Sequence, residues 1–290
     1  MTLREALTRA TSQLDCNPDL RADALRDAAM LLRHALSISH AALLANPEAT
    51  IPLDRQATYQ ALIQRRLTGE PIQYITGEQE FYGLALRVTP AVLIPRPETE
   101  VLVEAVLAEL KPDLQRILAG ATLRILDVGT GSGAIAIALA RHLPRANVTA
   151  VDLSPAALEV AAGNVARHEL GGRIRLVESD LLDGLGGDER GFDAIFSNPP
   201  YVASGERQGL HPQVRDFEPG MALFAGVDGL DVYRRLIPEA GDALRSGGLL
   251  ALEIGYGQRD AVAALLGGWN AVRFVDDLQG IPRVALARRP

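Results

Sequence analysis

From residue 123 onward, apolar segments of strand length alternate with segments of helical periodicity. Strands are predicted at 123–128, 148–152, 174–177, 192–197, 249–254, 272–275 and 284–287. Apolar strands that alternate with helices indicate a mostly parallel sheet that is covered on both faces. This part of the chain is therefore predicted to be an α/β domain, and ligands of such sheets bind at the carboxyl ends of the strands.

Two regions of different composition precede this sheet. Residues 1–80 are predicted to be helical, because apolar side chains such as Leu3, Ala6, Leu7 and Ala10 recur at helical spacing. Residues 81–88 resemble two short strands around Gly83, so that 81–95 is predicted to be a hairpin linker. The expected domains are a helical one at 1–80, the linker at 81–95 and the α/β domain at 96–290.

Charge and cysteine usage narrow the class of protein. The 290 residues carry a net charge of −7, which argues against a broad surface for phosphates, so we expect no direct nucleic-acid binding. Cys16 is the only cysteine, which leaves no disulfide framework and no thiolate cluster, and no metal is predicted. The charged start and the lack of a run of about 18 apolar residues predict a soluble, cytoplasmic protein without a membrane span. We expect a monomer.

A Gly-rich turn follows the first strand of the α/β domain and leads into a helix. It consists of Asp127, Val128, Gly129, Thr130, Gly131, Ser132 and Gly133. Glycines let the backbone turn sharply and approach a ligand closely. The spacing is G-x-G-x-G rather than the G-x-G-x-x-G of dinucleotide folds, and an acid before it repels phosphate and attracts a cation. S-adenosylmethionine has an ammonium and a sulfonium group and NAD has neither, so the turn favours S-adenosylmethionine.

Two further acids follow predicted strands. Asp152 ends the second strand about 20 residues after the turn, where an acid can accept hydrogen bonds from both ribose hydroxyls. After the third strand, Asp180 is placed to accept from an adenine amino group, and Leu181 to lie on the ring face. These positions support an adenosine-type ligand. The alternatives are a helix cap for Asp152 and a solvated loop acid for Asp180.

The fourth strand, 192–197, runs into Asn198, Pro199, Pro200 and Tyr201. The two prolines end the strand and restrict the backbone, which gives a stiff turn that presents carbonyl oxygens and one Asn side chain. Such a turn suits a group with two N–H donors, an amide or an aromatic amine; a plain Pro-Pro loop is the alternative. In a sheet wound in this way the fourth strand ends beside the first, so Asn198 is predicted to lie next to the Gly-rich turn.

At these positions the chain resembles the protein-(glutamine-N5) methyltransferases of the HemK/PrmC type, which modify peptide chain release factors. The resemblance covers essentially the whole chain. Besides the Gly-rich turn and Asn198 to Tyr201, it rests on Ile94-Pro95-Arg96-Pro97-Glu98-Thr99-Glu100, Phe217-Glu218-Pro219 and Gly280-Ile281-Pro282-Arg283. Asn-Pro-Pro-Tyr alone is less specific, since amino-group methyltransferases of DNA adenine share it. Together with the first of these stretches it is highly specific.

The resemblance implies a seven-stranded class I methyltransferase sheet, with S-adenosyl-L-methionine as donor and S-adenosyl-L-homocysteine as product. It implies as acceptor the glutamine of the Gly-Gly-Gln loop in class 1 peptide chain release factors, and hence a role in translation termination. By the resemblance, Asn198 and Pro199 are catalytic, and Asn198, Pro199, Pro200 and Tyr201 hold the glutamine. Arg96 and Glu98 are added as substrate-binding residues because they lie in a Pro-rich entry to a helix where a substrate loop fits; a helix cap is the alternative. The resemblance gives Gly129, Thr130, Gly131, Ser132, Gly133, Asp152, Leu181 and Asn198 as cofactor residues, and the residue arguments above add Asp127 and Asp180. Some relatives have an aromatic residue at the position of Leu181, so that an aliphatic contact replaces stacking on adenine here.

Within this interpretation, the Asn198 side-chain oxygen and the Pro199 carbonyl accept the two amide hydrogens of the glutamine. The helical domain is expected to dock the release factor away from that loop. Two other functions fit part of the sequence: an N6-adenine methyltransferase acting on nucleic acid, and a non-catalytic module that binds an adenosine ligand. The acidic balance counts against the first. An intact Asn-Pro-Pro-Tyr beside an intact cofactor turn counts against the second.

Overall fold

The structure is a computed structural model that describes residues 1–110, 122–186 and 189–290. Its contacts divide the chain into two compact units. One comprises Met1–Glu78 and Leu210–Phe217, and the other comprises Gln79–Gly209 and Glu218–Pro290. We call them the helical unit and the sheet unit. Every site residue predicted from the sequence lies within the described ranges of the sheet unit.

The helical unit consists of amphipathic helices, as the apolar spacing predicts. They are α1 (Leu3–Asp15), α2 (Ala24–Leu36), α3 (His40–Ala45), α4 (Leu53–Leu67) and α5 (Ile72–Thr76), with a short helix at Pro212–Phe217. A capping box begins α1, because Thr2 Oγ1 accepts from the N–H of Glu5 and the Glu5 carboxylate accepts from the N–H of Thr2. The apolar faces of α1, α2 and α4 form one core.

A buried ion pair crosses that core. Arg66 on α4 donates from Nε to Asp27 Oδ2 on α2 at 2.7 Å, and both side chains are buried. Arg66 also donates to the carbonyl oxygen of Glu70 at 3.0 Å. Removing one member of such a pair leaves an uncompensated charge in the core. The pair therefore ties α2 to α4 in one arrangement.

The predicted hairpin is present as a two-stranded sheet of β1 (Glu78–Phe81) and β2 (Leu84–Arg87). Tyr82 and Gly83 connect the strands with positive φ angles of 51° and 74°, a conformation that glycine adopts without steric cost. Phe81 and Leu86 are buried in the core of the sheet unit. The hairpin is thus anchored by its apolar side chains.

Within the described residues, seven strands of the sheet unit form one sheet in the order β5-β4-β3-β6-β7-β9-β8. The strands are β3 (Leu123–Val128), β4 (Ala146–Asp152), β5 (Ile174–Glu178), β6 (Phe192–Ser197), β7 (Leu244–Glu253), β8 (Asn270–Asp276) and β9 (Pro282–Arg288). Among these seven strands, β9 alone points in the opposite direction, and it is antiparallel to both β7 and β8. The predicted seven-stranded, mostly parallel sheet is therefore confirmed. Its strand order reverses between β3 and β6, which creates a topological switch point there.

Helices cover both faces of this sheet. They are α6 (Thr99–Leu110), α7 (Ala134–His142), α8 (Pro155–Arg167), α9 (Asp231–Ala243) and α10 (Arg259–Leu265). Successive residues of β3, Ile125 and Leu126, belong to two different core clusters because side chains alternate across a strand. One cluster contains α6 and α7, and the other contains α9. Burial on both faces explains why the strands read as continuous apolar runs.

One strand begins earlier than the sequence indicates. Ser246, Gly247 and Gly248 predict a turn before a strand at 249, whereas β7 begins at Leu244. Its register against β6 shifts between Phe192 and Ala194, where Leu244 and then Leu249 are the partners. The glycines thus lie in an irregularity of the strand rather than before it. No helix in the described part of the chain is long and apolar enough to cross a membrane.

Candidate active site

The Gly-rich turn lies between β3 and α7, at the switch point of the sheet. Gly129 and Gly131 have φ angles of 73° and 55°, which other residues adopt only with strain. A Cβ atom at either position would have no protein atom within 4 Å. The backbone at these two glycines therefore faces open space in which a ligand can approach it.

Asp127 lies beneath this turn and not on its open side. Its Oδ2 accepts from the Thr130 hydroxyl at 2.7 Å, and its Oδ1 is buried without a hydrogen-bond partner. Burial raises the pKa of Asp127 to about 7. Asp127 does not line the cavity at the switch point, so its contact with Thr130 supports the turn from below.

Asp152 ends β4, the neighbour of β3, and lines the cavity. Its Oδ2 accepts from the N–H of Gly131 at 2.8 Å, and its Oδ1 accepts from the N–H of Ser154 at 2.9 Å. Burial raises its pKa. The carboxylate, which has about four acceptor positions, retains acceptor capacity for a ligand. The predicted cap of α8 is formed by Ser154, whose hydroxyl accepts from the N–H of Ala157, and not by Asp152.

Asp180 and Leu181 follow β5 and also line the cavity. Asp180 pairs with Arg235 on α9 at 3.0 Å. Leu181 has a positive φ of 50°, and its carbonyl oxygen accepts from the Ser179 hydroxyl at 2.7 Å. A local hydrogen bond therefore holds Leu181 in an uncommon backbone conformation at the cavity wall.

The Asn-Pro-Pro-Tyr turn lies next to the Gly-rich turn, as predicted. Ser197 of β6 pairs in register with Val128 of β3, and the Ser197 hydroxyl donates to the Val128 carbonyl at 2.6 Å. Asn198 and Gly129 directly follow the ends of these two strands. Asn198 lines the cavity, and its Nδ2 donates to Thr99 Oγ1 at 3.0 Å.

The remaining residues of this turn differ in exposure. Pro200 lines the cavity, and Pro199 is buried. Tyr201 packs against the core below, with its hydroxyl 3.5 Å from Glu253 Oε1, and does not line the cavity. Its carbonyl oxygen accepts from Gln258 Nε2 at 2.9 Å. The backbone of the turn is therefore fixed from both ends.

Arg96 and Glu98 lie outside the cavity lining. Arg96 forms an ion pair with Glu218, whose side chain is buried. Glu218 also accepts from the N–H of Ile94 at 3.1 Å. Glu98 is exposed. The structure thus gives Arg96 an anchoring contact, which holds the segment before α6 against the chain after residue 217.

Sequence reasoning singled out neither Thr99 nor Glu253 by itself. Both are buried, at 4% and 2% exposure. Thr99 accepts from Asn198 Nδ2, and Glu253 follows Leu252, which pairs with Ser197 in the sheet. The signal for Glu253 is an acid inside an otherwise apolar strand, because a buried acid needs a partner or a role. Thr99 carries no such signal, since a Thr at the start of a helix is ordinary.

The cavity at the switch point is about 270 Å³ in volume. Its walls combine the Gly-rich turn, Asp152, Asp180 and Asn198 with apolar side chains, among them Val92, Leu93, Ile135, Leu153, Leu181 and Met221. Acidic groups and apolar walls fit a ligand that has hydroxyls, a positive charge and a flat apolar ring. S-adenosyl-L-methionine has these features. The described residues contain no group of three His, Cys, Asp or Glu side chains arranged for a metal ion.

Two family models match the chain. The PrmC N-terminal domain matches residues 5–77, and the methyltransferase small domain matches residues 101–212. The first match lies in the helical unit. The second contains the Gly-rich turn, Asp152 and the Asn-Pro-Pro-Tyr turn.

Solved methyltransferase structures share the fold. The T. thermophilus 16S rRNA N2 G1207 methyltransferase, in complex with AdoMet and guanosine, superposes with a TM-score of 0.53 at 22% identity, over 73% of this chain and 50% of that one. A methyltransferase from Pyrococcus furiosus superposes with a TM-score of 0.50 at 21% identity, over 80% and 98%. At these identities the likeness shows the class I methyltransferase fold.

Full-length relatives are much more similar. The release factor glutamine methyltransferase of Koribacter versatilis is 47% identical over 100% of this chain and 99% of its own length. The relatives of the same name from Moorella thermoacetica and Deinococcus radiodurans are 44% and 42% identical over the same shares. The resemblance noted in the sequence is thereby confirmed. The chain belongs to the release factor glutamine methyltransferase family.

Proposed function

We propose that this protein transfers a methyl group to the side-chain amide nitrogen, N5, of the glutamine in the Gly-Gly-Gln loop of class 1 peptide chain release factors. The methyl donor is S-adenosyl-L-methionine, the cofactor of this family. The observation that carries the proposal is the position of Asn198, which borders the Gly-rich turn and lines the same cavity as Asp152. An amide held at Asn198 therefore lies beside the cofactor residues. Methylation of that amide supports translation termination.

The residues of the cavity fit the cofactor part by part. The free lone pairs of Asp152 suit the ribose hydroxyls, and the open backbone at Gly129 and Gly131 suits the amino-acid part, with Thr130, Ser132 and Gly133 shaping the turn. Leu181 and Asp180 suit the face and the amino group of adenine. When bound, the cofactor supplies an electrophilic methyl group on a sulfonium, and neutral S-adenosyl-L-homocysteine remains.

Asn198 and Pro199 are proposed to hold the substrate amide. An amide nitrogen is a weak nucleophile because its lone pair is delocalised into the carbonyl group. The Asn198 side-chain oxygen and the Pro199 carbonyl oxygen accept the two N–H hydrogens, which orients the nitrogen and disfavours planarity. After the nitrogen–carbon bond has formed, one of these hydrogens leaves the nitrogen as a proton and passes to water. Positioning of this kind contributes roughly 7–11 kcal/mol in favourable intramolecular reactions.

The cavity chemistry supports a reaction that depends on positioning. Its lining residues, within the described part of the chain, include no His or Cys that would act as a general base. Pro200 and Tyr201 complete the turn, and Gln258 holds the Tyr201 carbonyl. These contacts keep the acceptor oxygens in place before the substrate arrives, so little reorganisation is needed during the reaction.

The wider interaction with the release factor is proposed to use other parts of the chain. Residues 1–80 dock the release factor away from its glutamine loop, and Arg96 and Glu98 contact the loop itself. The net charge of −7 supports a protein substrate over nucleic acid. We also propose that the protein is cytoplasmic, since its substrate acts in translation. We further propose that it is a monomer.

The direct test is mass spectrometry of release factor peptides after incubation with enzyme and S-adenosyl-L-methionine. One added methyl group on the Gly-Gly-Gln glutamine is expected. A release factor with that glutamine replaced by Asn is the matched control. Asn198→Ala is expected to lower methylation by about 10²–10³-fold, with affinity for S-adenosyl-L-homocysteine changed much less.

Three results would contradict the proposal. Near-normal turnover of Asn198→Ala would remove the amide-holding role. Transfer of labelled methyl groups to DNA or RNA, with none to release factor, would favour an N6-adenine methyltransferase that uses the same turn. A protein that binds S-adenosyl-L-homocysteine but methylates nothing in either assay would be a binding module.

A further inference from the structure

Two buried side chains, those of Thr99 and Glu253, lie beside Asn198, and Thr99 also lines the cavity. Thr99 is the first residue of α6, and Glu253 is the last residue of β7. Asn198 Nδ2 donates to Thr99 Oγ1 at 3.0 Å, and the Thr99 side chain hydrogen-bonds the Glu253 carboxylate. A chain of hydrogen bonds therefore connects the proposed amide acceptor to a buried acid.

The sheet register explains why these residues meet. Ser197 of β6 pairs with Leu252 of β7, so the next residues on the two parallel strands are Asn198 and Glu253. The other neighbour of β7 is β9, where Val284 pairs with Glu253. The acid is thus held inside the sheet rather than on a loop, and its position relative to Asn198 is set by backbone pairing.

The chemistry of a hydroxyl gives this chain a direction. An ionised carboxylate only accepts hydrogen bonds, so it takes the single hydrogen of the Thr99 hydroxyl. The Thr99 oxygen can then only accept, and it accepts from the Asn198 NH₂ group. This leaves Oδ1 as the end of the Asn198 amide that is available to a ligand. With the opposite orientation, Asn198 would present two donors to the two N–H donors of a substrate amide.

We propose that Thr99 and Glu253 are positioning residues that fix the orientation of the Asn198 amide so that Oδ1 accepts from the substrate. The inference rests on the proposed function, because it assigns the direction that an amide acceptor needs. It also accounts for an acid in an apolar strand. Glu253 Oε2 is buried without a hydrogen-bond partner, a costly arrangement that a purely structural role does not require.

The same geometry makes the site sensitive to pH. Burial raises the pKa of Glu253 to about 7. The groups that face its side chain or main chain are Arg283 on β9, Glu98 and Thr99 at the start of α6, Tyr201, and Tyr233 on α9. A protonated Glu253 becomes a donor to Thr99, which frees the Thr99 hydrogen for Asn198 Oδ1 and reverses the chain. The orientation that accepts a substrate amide is therefore present above about pH 7 and lost as the pH falls below it.

Four variants test this in the full-length protein with release factor as substrate. Glu253→Gln keeps the shape but removes the charge that fixes the direction of the Thr99 hydroxyl, and Thr99→Val removes the hydroxyl itself. In each variant kcat is expected to fall about tenfold to 100-fold. Thr99→Ser retains the hydroxyl and is expected to keep at least about a third of wild-type kcat. The Thr99→Val/Glu253→Gln double variant is expected to fall no further than the worse single variant, because both act through one chain. In Glu253→Gln, whose altered side chain does not line the cavity, calorimetric affinity for S-adenosyl-L-homocysteine is expected to change by less than about threefold, which shows that the site is folded.

A second measurement does not depend on turnover. In ¹⁵N-Asn-labelled protein without cofactor, the side-chain NH₂ signals of Asn198 are assigned by their loss in Asn198→Ala. They are expected to titrate with a midpoint near pH 7 in the wild type and not in Glu253→Gln. The wild-type pH profile of kcat is expected to show the same limb, and Glu253→Gln to lack it.

The outcomes separate this inference from the proposed function. Wild-type protein that methylates no release factor contradicts the proposed function, whereas the NMR titration still reports on the Asn198 orientation. Thr99→Val with wild-type kcat, additive losses in the double variant, or an Asn198 titration that persists in Glu253→Gln would each overturn the positioning role.

Discussion

At the scale of single residues, Gly229 shows how closely the backbone packs around the Asn-Pro-Pro-Tyr turn. Its φ is 74°, and a Cβ atom there would lie 2.3 Å from the Tyr201 carbonyl oxygen. Real atoms do not approach so closely, so a side chain at this position must displace Tyr201. The same carbonyl accepts from Gln258 Nε2, which would be lost as well. Gly229 is therefore required by the proposed amide-holding turn and not only by its own loop.

Gly229→Ala is accordingly expected to lower kcat with release factor at least about tenfold, since small displacements of positioned groups cost up to about 10²-fold. The affinity for S-adenosyl-L-homocysteine, measured by calorimetry, is expected to change less. Gly257→Ala is the matched control, because Gly257 has a φ of 77° and open space where its Cβ would lie. It introduces the same backbone strain without the clash. Equal losses in the two variants would show that strain, and not contact with Tyr201, is responsible.

At the scale of elements, Asn164 connects three parts of the sheet unit. It lies on α8 and is fully buried. Its Oδ1 accepts from the N–H of Arg87 in β2 at 2.7 Å, and its Nδ2 donates to the carbonyl oxygens of Arg87 and Ser132 at 2.9 and 2.8 Å. One amide thus ties the hairpin to the Gly-rich turn through a helix.

Asn164→Asp is expected to destabilise the protein and weaken cofactor binding together. The substitution replaces two donors by a carboxylate oxygen, which leaves the carbonyls of Arg87 and Ser132 facing a buried acceptor. An unsatisfied buried group costs about 1–3 kcal/mol, and more when it is charged. Thermal unfolding and calorimetry with S-adenosyl-L-homocysteine measure the two effects. Asn147→Asp, at an exposed position of β4, controls for the added charge, and a loss of stability without a loss of affinity would separate Asn164 from the turn.

The sequence predicted the elements and the site that depend on local patterns. The apolar run at 123–128 matches β3, and the run at 192–197 matches β6. Asn198 lies beside Gly129, as the order of the strands in the sheet predicted. These predictions succeed because burial on both faces and the rules of strand order leave few alternatives.

Contacts set by register could not be predicted in the same way. Glu253 lies beside Asn198 only because β6 pairs with β7 at Ser197 and Leu252, beyond an irregularity between Phe192 and Ala194. Asn164 reaches Arg87 and Ser132 across elements that are distant in sequence. Asp127 follows the pattern of a ligand-facing acid, yet it is buried beneath the turn. Side-chain direction at such points depends on tertiary packing, which composition and periodicity do not encode.

At the scale of the whole molecule, catalysis and docking of the release factor are proposed to belong to different units. The sheet unit holds every residue of the cavity. The helical unit has its own core and its own buried ion pair, which are the features of a unit that folds independently. A pocket that takes one glutamine side chain cannot by itself select one loop of a large protein. Selection then requires contacts elsewhere, and these are expected on the helical unit.

Exposed leucines of the helical unit are the candidates for those contacts. Leu25 on α2, Leu44 on α3 and Leu53 on α4 are 61%, 67% and 82% exposed. Replacing all three by Ser is expected to lower kcat/KM for intact release factor about tenfold, since buried apolar contacts of an interface commonly contribute about 1 kcal/mol or more in total. The same variant is expected to methylate a short Gly-Gly-Gln peptide at the wild-type rate, because the peptide has nothing to dock.

Scattered exposed leucines are ordinary on protein surfaces, so Leu278→Ser in the sheet unit is the control and should change neither rate. If the triple variant lost activity on peptide and protein alike, the leucines would support the fold and not the docking; if it lost neither, the release factor would dock on another face of the helical unit or on the sheet unit alone.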